Sequence, residues 1–140
     1  SAEQKQIEII VDTEEKLPNV KADTEKTAWV LINFLTNAIR YSPNQSKIRI
    51  GAKLKMDIKS DTKNTSFSVI FSVKDSGIGI DSRYRDKIFD RYFQVPGSAR
   101  SGTGLGLSIS KEFIEAQNGE IGVESEIGSG STFFFTLQAN

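Results

Sequence analysis

The sequence contains no cysteine and no histidine among its 140 residues. The absence of cysteine excludes a disulfide scaffold, thiol catalysis and cysteine-based zinc clusters. The absence of histidine excludes Ser-His-Asp triads, imidazole general bases and histidine-ligated metals. Any chemistry must therefore rely on carboxylates, amides, hydroxyls, cationic side chains, backbone amides and a bound ion or cofactor.

The sequence also lacks a charge excess of either sign and a long apolar run. Its 18 Lys and Arg residues balance 18 Asp and Glu residues, whereas a protein that holds nucleic-acid phosphates is expected to be basic. No apolar run reaches the roughly 20 residues that span a bilayer, and the first residues do not resemble a signal peptide. We therefore expect no nucleic-acid partner and a cytoplasmic location, whether or not a longer parent protein is attached to a membrane.

The length fits a single domain over residues 1–140. Apolar periodicity predicts strands at 6–11, 47–54, 66–74, 120–125 and 131–137, helices at 24–40, 81–89 and 107–117, a polar hairpin loop at 55–65 and a mobile loop at 94–106. Strands and helices are mixed without strict alternation. This order predicts an α+β fold, a two-layer α/β sandwich whose mixed, mostly antiparallel sheet is covered on one face by helices.

The helix predicted at 24–40 carries two amide side chains one turn apart, Asn33 and Asn37. At 100° per residue its main apolar face comprises Ala28, Leu31, Ile32, Leu35, Ala38 and Ile39. The opposite side carries the stripe Asn33, Asn37, Arg40 and Tyr41, flanked by Trp29 and Val30. A helix that is apolar almost all round is covered on both sides, and covered amides need partners. The pattern favours a binding site over a solvated outer face.

Two glycine-rich segments follow. Asp75 stands directly after a well-patterned strand and begins the run DSGIGI, residues 75–80. An ionised carboxylate accepts hydrogen bonds only, so an N–H donor is its natural partner. The run GTGLG, residues 102–106, precedes a helix, where backbone amides and the helix dipole favour phosphate. Taken singly, the first segment is better explained as an ordinary turn with Asp75 as a local cap, and the second is compatible with a glycine hinge.

In this order the motifs resemble the catalytic, ATP-binding domain of bacterial sensor histidine kinases, within the Bergerat-type ATPase and kinase superfamily. The matching segments are NFLTNAIRYS at 33–42 (the N box), DSGIGI at 75–80 (the first G box), IFDRYF at 88–93 (the F box), GTGLGLSIS at 102–110 (the second G box) and the closing hairpin at 119–137. The resemblance covers almost the whole chain and implies the Bergerat ATP-binding fold.

The resemblance implies a phosphate end of the site on the first helix. Asn37 coordinates a Mg²⁺ ion that bridges the nucleotide phosphates, a role that suits an amide oxygen. Asn33 faces the phosphates one turn earlier. Arg40 stands where the family places a cationic residue near the phosphates, and Tyr41 stands where an aromatic ring lines the pocket. Asn33, Asn37 and Arg40 are therefore the expected catalytic residues.

The resemblance implies a base end of the site around Asp75, which accepts a hydrogen bond from the adenine amino group. Gly77 and Gly79 let the chain pass the base, and the Thr132 hydroxyl completes the adenine pocket. The residues expected to enclose the triphosphate are Arg100, Gly102, Thr103, Gly104, Leu105, Gly106 and Leu107. Residues 94–106 correspond to the mobile ATP lid, with Phe89 and Phe93 packed at its base.

Position 33 separates two reaction classes of the superfamily. Gyrase-type and chaperone-type members carry a Glu one turn before the metal-binding Asn, and it activates water for hydrolysis. This chain has Asn33 there, which is a poor base. The resemblance therefore implies phosphoryl transfer to a supplied acceptor, driven by positioning and charge neutralisation.

The absence of histidine means that this chain does not contain its own phosphoacceptor. We expect an excised catalytic domain, mainly monomeric, that acts on a histidine-bearing dimerisation domain and through it on a response regulator. Three alternatives remain open: a degenerate nucleotide-binding module, an anti-sigma-type serine kinase of the same superfamily, and a plain α+β interaction domain whose glycines are turns.

Overall fold

One five-stranded sheet organises the chain. In this computed structural model, which describes residues 5–58, 65–96 and 104–140, the strands are β1 (Glu8–Thr13), β2 (Lys47–Ile58), β3 (Thr65–Lys74), β4 (Ile121–Ser125) and β5 (Ser131–Gln138). Their spatial order is β1-β2-β3-β5-β4. The edge pair β1 and β2 is parallel, and the other three pairs are antiparallel. The predicted mixed, mostly antiparallel sheet is confirmed.

Within the described ranges, two α-helices accompany the sheet, α1 (Thr24–Tyr41) and α2 (Gly106–Glu115). Asp23 is the cap of α1, because its side chain accepts a hydrogen bond from the Lys26 amide at 3.1 Å. Neither helix of the described ranges combines the length and the apolar character needed to cross a membrane. The two helices and the five strands form the two-layer α/β sandwich that the sequence predicts.

The core lies between the sheet and the helices. Its most deeply buried large side chains are Phe34, Phe135, Ile48, Ile114 and Leu137. Phe34 of α1 contacts two rings of β5, with centroid separations of 5.4 Å to Phe133 and 6.0 Å to Phe135. These contacts fix the rotation of α1 over the middle of the sheet, and with it the direction of every polar side chain that α1 carries.

The buried face of α1 differs from the predicted one. Val30, Phe34 and Ala38 are buried, whereas Ala28 and Ile32, which the helical wheel placed on the inner face, are exposed, Ile32 by 64%. The helix is apolar almost all round, so periodicity alone left its rotation ambiguous, and the face that carries Val30, Phe34 and Ala38 is the buried one. Asn33 and Asn37 consequently lie beside the buried face instead of opposite to it.

Two local predictions were also wrong. β2 continues through Ile58, so residues 55–58 belong to a strand instead of the predicted loop. The helix predicted from 81 to 89 is a 3₁₀ helix of three residues, Ser82–Tyr84, followed by turns. Asp81 caps it as expected, accepting a hydrogen bond from the Arg83 amide at 2.9 Å. Ile88, within these turns, is buried in the core.

A pair of glycines in the turn between β4 and β5 offers a controlled test of how tightly this turn is packed. Gly128 and Gly130 both have left-handed backbones, with φ of +87° and +79°. A Cβ added at Gly130 would lie 2.1 Å from the Asp75 carbonyl oxygen, whereas one at Gly128 would meet nothing within 4 Å. We expect Gly128→Ala to cost about 1–2 kcal/mol, the conformational term alone, and Gly130→Ala to cost clearly more. Urea unfolding measures both, and equal costs would contradict the close packing described here.

Candidate functional site

A cavity of about 400 Å³ opens between α1, the start of α2 and the adjoining ends of β3 and β5. Its wall includes the polar residues Asn33, Asn37, Arg40, Tyr41, Asp75, Gln94 and Ser131 and the apolar residues Trp29, Ile78, Ile80, Ile88, Phe93, Val95, Leu107, Ile109 and Phe133, together with Gly79, Gly104, Leu105 and Gly106. A mainly apolar pocket with a few convergent polar groups is the usual form of a small-molecule site. The structure therefore brings together both ends of the site expected from the sequence.

Asn33 lines this cavity, and its side-chain oxygen Oδ1 is buried without a hydrogen-bond partner among the described residues. The side chain lies against the first residue of α2, because a Cβ added at Gly106 would be 2.3 Å from Asn33 Nδ2. Glycine at position 106 thus lets α2 approach α1 closely. A buried acceptor without a donor is costly, and a ligand that donates to it, or a cation, removes that cost.

Asn37 and Arg40 are joined at the mouth of the same cavity. Arg40 Nη1 donates a hydrogen bond to Asn37 Oδ1 at 3.0 Å. This i, i+3 spacing puts the two side chains on one helical surface. The guanidinium thereby supplies a positive charge next to an amide oxygen that can ligate a metal ion.

Asp75 lies at the closed end of the cavity and is only 5% exposed. Its Oδ1 accepts a hydrogen bond from the Gly77 amide at 2.8 Å, and its own amide donates to the Ser131 carbonyl at 2.9 Å. Burial raises the pKa of the Asp75 carboxyl above its ordinary value, while hydrogen bonds with the backbone of Gly77 and Ser131 act in the opposite direction. A carboxylate held in this way favours a hydrogen-bond donor as its ligand.

The glycines after Asp75 are required by close packing. A Cβ added at Gly77 would lie 2.5 Å from the Tyr41 carbonyl oxygen, at the end of α1. Gly79 has a φ of +81°, and its Cβ would lie 2.0 Å from the Glu126 carbonyl oxygen. Gly79 lines the cavity, whereas Gly77 is not among its lining residues and instead fixes the distance between this loop and α1.

The start of α2 forms another wall of the cavity, through Gly104, Leu105, Gly106 and Leu107. Among the residues that the structure describes, no side chain caps the first turn of α2, and its orphan amides lie at the positive end of the helix dipole, which favours an anion. Gly104 has a φ of +76° and its carbonyl accepts a hydrogen bond from the Tyr92 amide at 2.8 Å. The expected site residues Arg100, Gly102 and Thr103 lie outside the described residues, as does most of the segment 94–106.

The structure does not place Thr132 at the cavity. Successive residues of a strand point to opposite sides of the sheet, and here Ser131 and Phe133 line the cavity while Thr132 does not. The sequence prediction was therefore displaced by one residue, and Ser131 is the hydroxyl at this position. The signal that could have found it was the strand alternation, which puts residue 131 on the same side as the core residues 133, 135 and 137.

The Ser131 hydroxyl belongs to a buried hydrogen-bonded pair. Ser125 Oγ lies 2.7 Å from Ser131 Oγ and 2.9 Å from the Gly130 carbonyl oxygen, and it accepts a hydrogen bond from the Ile80 amide at 2.7 Å. Either hydroxyl can be the donor within the pair, since each serine has one proton and two lone pairs. The Ser131 side chain lines the cavity together with the carboxylate of Asp75.

Sequence reasoning missed most of the apolar wall. Ile88 and Phe93 line the cavity and pack on the core, and Phe89 contacts Phe133 with centroids 6.4 Å apart. Trp29 lines the opposite side, with its ring edge-on to Phe113 at 5.4 Å. Their periodicity marks them only as core residues, since an apolar pocket wall and a core carry the same signal.

No cluster of three or more acidic side chains that could hold a metal ion occurs within the described ranges. The Asn37 side chain lines the cavity and offers an amide oxygen to which a metal ion could bind, with the remaining positions filled by water and by oxygens of the bound ligand. That donor set suits Mg²⁺, which keeps several waters and prefers oxygen ligands.

Comparison with known proteins identifies the family. The family described as histidine kinase-, DNA gyrase B- and HSP90-like ATPase matches residues 22–140. The adaptive-response sensory kinase SasA of Gloeothece citriformis is 36% identical over 136 residues, covering 96% of this chain and 32% of that protein. The sensor histidine kinase WalK of Bacillus subtilis is 38% identical over 122 residues, covering 84% of this chain and 18% of that protein. The chain thus spans about a third or less of the curated relatives that it matches.

Solved structures agree with this assignment. The full-length ShkA structure in complex with AMPPNP has a TM-score of 0.82 and 31% identity, and the match covers 99% of this chain and 27% of that one. The nucleotide-free catalytic domain of the histidine kinase ThkA has a TM-score of 0.78 and 29% identity, over 99% of this chain and 84% of that one. The predicted histidine-kinase ATPase fold is confirmed.

Asp75 is expected to lower the stability of the ligand-free protein. A raised carboxyl pKa means that the folded state binds the proton more tightly than the unfolded state does, so stability falls as pH rises from the ordinary carboxyl range through the raised pKa. We expect Asp75→Asn to unfold at the same or a higher temperature than the native chain at neutral pH, with the difference shrinking as the pH is lowered through that range. Thermal unfolding across pH measures this, with exposed Asp86→Asn as the matched control. A large loss of stability in Asp75→Asn at neutral pH would contradict the burial argument.

Proposed function

This chain belongs to the family of histidine kinase-, DNA gyrase B- and HSP90-like ATPases, and we propose that it binds Mg-ATP and donates the γ-phosphoryl group to a histidine on a separate dimerisation domain. The observation that carries the proposal is that Asn33, Asn37, Asp75 and the uncapped start of α2 converge on one cavity. The similarity to the catalytic domains of histidine kinases supports the same reaction.

The base end of the cavity is built to recognise an amino group. The Asp75 carboxylate lines this end and, when ionised, only accepts hydrogen bonds. The 6-amino group of adenine is a donor at the edge where guanine has a carbonyl. A carbonyl oxygen facing the carboxylate would be left unpaired, so this arrangement favours ATP over GTP.

The phosphate end of the cavity combines positive charge with backbone donors. We assign Arg40 and the first amides of α2 to the phosphates. Asn33 lies beside Gly106 at the same end, and we assign its side chain to the phosphates. Asn37 is the residue that would hold Mg²⁺, and the bound ion would neutralise charge on the phosphate oxygens during transfer. We assign Gly102, Thr103 and Arg100 to the same end on sequence alone.

The side chain at position 33 favours transfer over hydrolysis. A glutamate there could take a proton from water, whereas the Asn33 amide cannot. The chain's own contribution is therefore to hold the nucleotide with its terminal phosphate exposed to an incoming acceptor. Positioning of this kind accounts for most of the catalysis in phosphoryl transfer.

The acceptor must come from elsewhere, since the sequence contains no histidine. We propose that residues 1–140 act as one catalytic domain, mainly monomeric, with residues 94–106 as its ATP lid. The partner is a histidine-bearing dimerisation domain, which passes the phosphoryl group to a response regulator. A cytosolic location follows from the need for ATP.

The base contact can be tested by a nucleotide titration. We expect Mg-ATP to bind, GTP to bind far more weakly, and Asp75→Asn to lose about tenfold or more in ATP affinity, because a hydrogen bond to a charged group is worth on the order of 1.5–3 kcal/mol. Calorimetric titration at neutral pH measures all three, and Asp86→Asn controls for the loss of one charge. Equal affinity for ATP and GTP would reject the assignment of Asp75, and no binding of either would favour the interaction-domain alternative.

The reaction class can be tested with γ-labelled ATP. We expect negligible release of phosphate by the chain alone and labelling only after addition of a histidine-bearing helical hairpin of the kind that histidine kinases phosphorylate. Phosphohistidine is labile to acid and stable to alkali, whereas phosphoserine has the opposite behaviour, so the stability of the label identifies the acceptor. Asn33→Ala is expected to slow transfer. Rapid hydrolysis by the chain alone would contradict the role given to position 33, and an acid-stable label would favour the serine-kinase alternative.

A further inference from the structure

Lys5 makes an unusual set of contacts just ahead of β1. Its ammonium group donates to three carbonyl oxygens at the end of α1, those of Ile39 at 2.9 Å, Arg40 at 2.8 Å and Ser42 at 3.4 Å. An ammonium group has three donors and no acceptor. All of its hydrogen-bonding capacity is therefore spent on one helix terminus, 34 to 37 residues away in the sequence.

The end of α1 is a place where such a cation is needed. The last carbonyls of a helix have no partner within the helix, and the helix dipole makes this end negative. The chain leaves α1 in an extended conformation at Ser42, with φ −84° and ψ 140°, so the turn does not satisfy these carbonyls itself. Hydrogen bonds from a charged donor are stronger than those between neutral groups.

Lys5 is itself held in position by its own backbone. Its carbonyl accepts a hydrogen bond from the Gln45 amide at 3.1 Å, and Ile7, two residues on, is 9% exposed and belongs to the core. The Glu8 amide donates to the Ser46 carbonyl at 3.1 Å and begins the pairing of β1 with β2. The backbone of Lys5 is therefore held in place while its side chain bonds to the end of α1.

The helical turn to which Lys5 donates its hydrogen bonds also forms part of the cavity wall. Arg40 and Tyr41 line it, and Asn37 lies one turn earlier. The carbonyl of Tyr41, which Lys5 does not bond, packs on Gly77 beside Asp75. The last turn of α1 is thus fixed on one side by Lys5 and on the other by the loop that carries Asp75.

We propose that Lys5 is a positioning residue of the nucleotide site: by clamping the last turn of α1 it holds Arg40 and Asn37 toward the phosphates. The inference rests on the proposed function, because it assumes that these side chains meet a nucleotide. It also gives the segment ahead of β1 a direct mechanical connection to the phosphate end of the cavity, so that displacement of this segment lowers affinity for the triphosphate.

The test separates positioning from stability. Lys5→Met removes the donors, Lys5→Arg retains a cationic donor, and Lys53→Met removes the same charge from an exposed position of β2. Each folded variant is titrated with Mg-ATP and with adenosine, which lacks the phosphates, by NMR. Thermal unfolding confirms that each variant is folded at the titration temperature.

We expect Lys5→Met to weaken ATP binding about tenfold with adenosine binding unchanged, Lys5→Arg to recover most of the loss, and Lys53→Met to behave as the native chain. Unchanged ATP affinity in Lys5→Met, with native binding intact, rejects the inference alone. A parallel loss for ATP and adenosine also rejects it, because that result indicates general damage to the fold. Absence of ATP binding by the native chain rejects the proposed function and the inference with it.

Discussion

The site depends on one steric constraint: the backbone that follows β3 packs so closely on the end of α1 and on the turn from β4 to β5 that glycine is required at the points of contact. Added Cβ atoms at Gly77 and Gly130 would lie 2.5 Å from the Tyr41 carbonyl oxygen and 2.1 Å from the Asp75 carbonyl oxygen. These contacts set how closely α1 and the turn approach the loop that carries Asp75. The same loop contributes Asp75, Ile78 and Gly79 to the cavity wall.

Local chemistry made part of the site predictable from sequence. Asp75 follows a strand of clean alternation and precedes two glycines, so its placement at a strand end needed no tertiary information. Asn33 and Asn37 were assigned to a site because the surrounding helix is apolar on nearly every side. The family resemblance added their roles. The sheet was predictable for similar reasons, since each strand has its own period and its own turn residues.

The largest error concerns a direction that packing decides. The rotation of α1 depends on the contact of Phe34 with Phe133 and Phe135, and the sequence of a helix that is apolar almost all round does not specify its rotation. The choice between Ser131 and Thr132 was different, because the alternation along β5 carried that information. The hydrogen bonds from Lys5 to α1 could not be predicted from the sequence, because a single lysine near a strand carries no signal that specifies a partner 34 residues away.

Asp75 also couples ligand binding to the pH of the solution. Its carboxyl holds a proton more tightly than an ordinary aspartate does, because the cavity removes water from it. A ligand N–H that replaces this water favours the ionised form, so in acidic solution a proton must leave as the ligand arrives. The heat of binding at low pH then contains the ionisation heat of whichever buffer takes up that proton. The difference between the binding heats measured in two buffers of different ionisation heat therefore gives the number of protons released when the ligand binds.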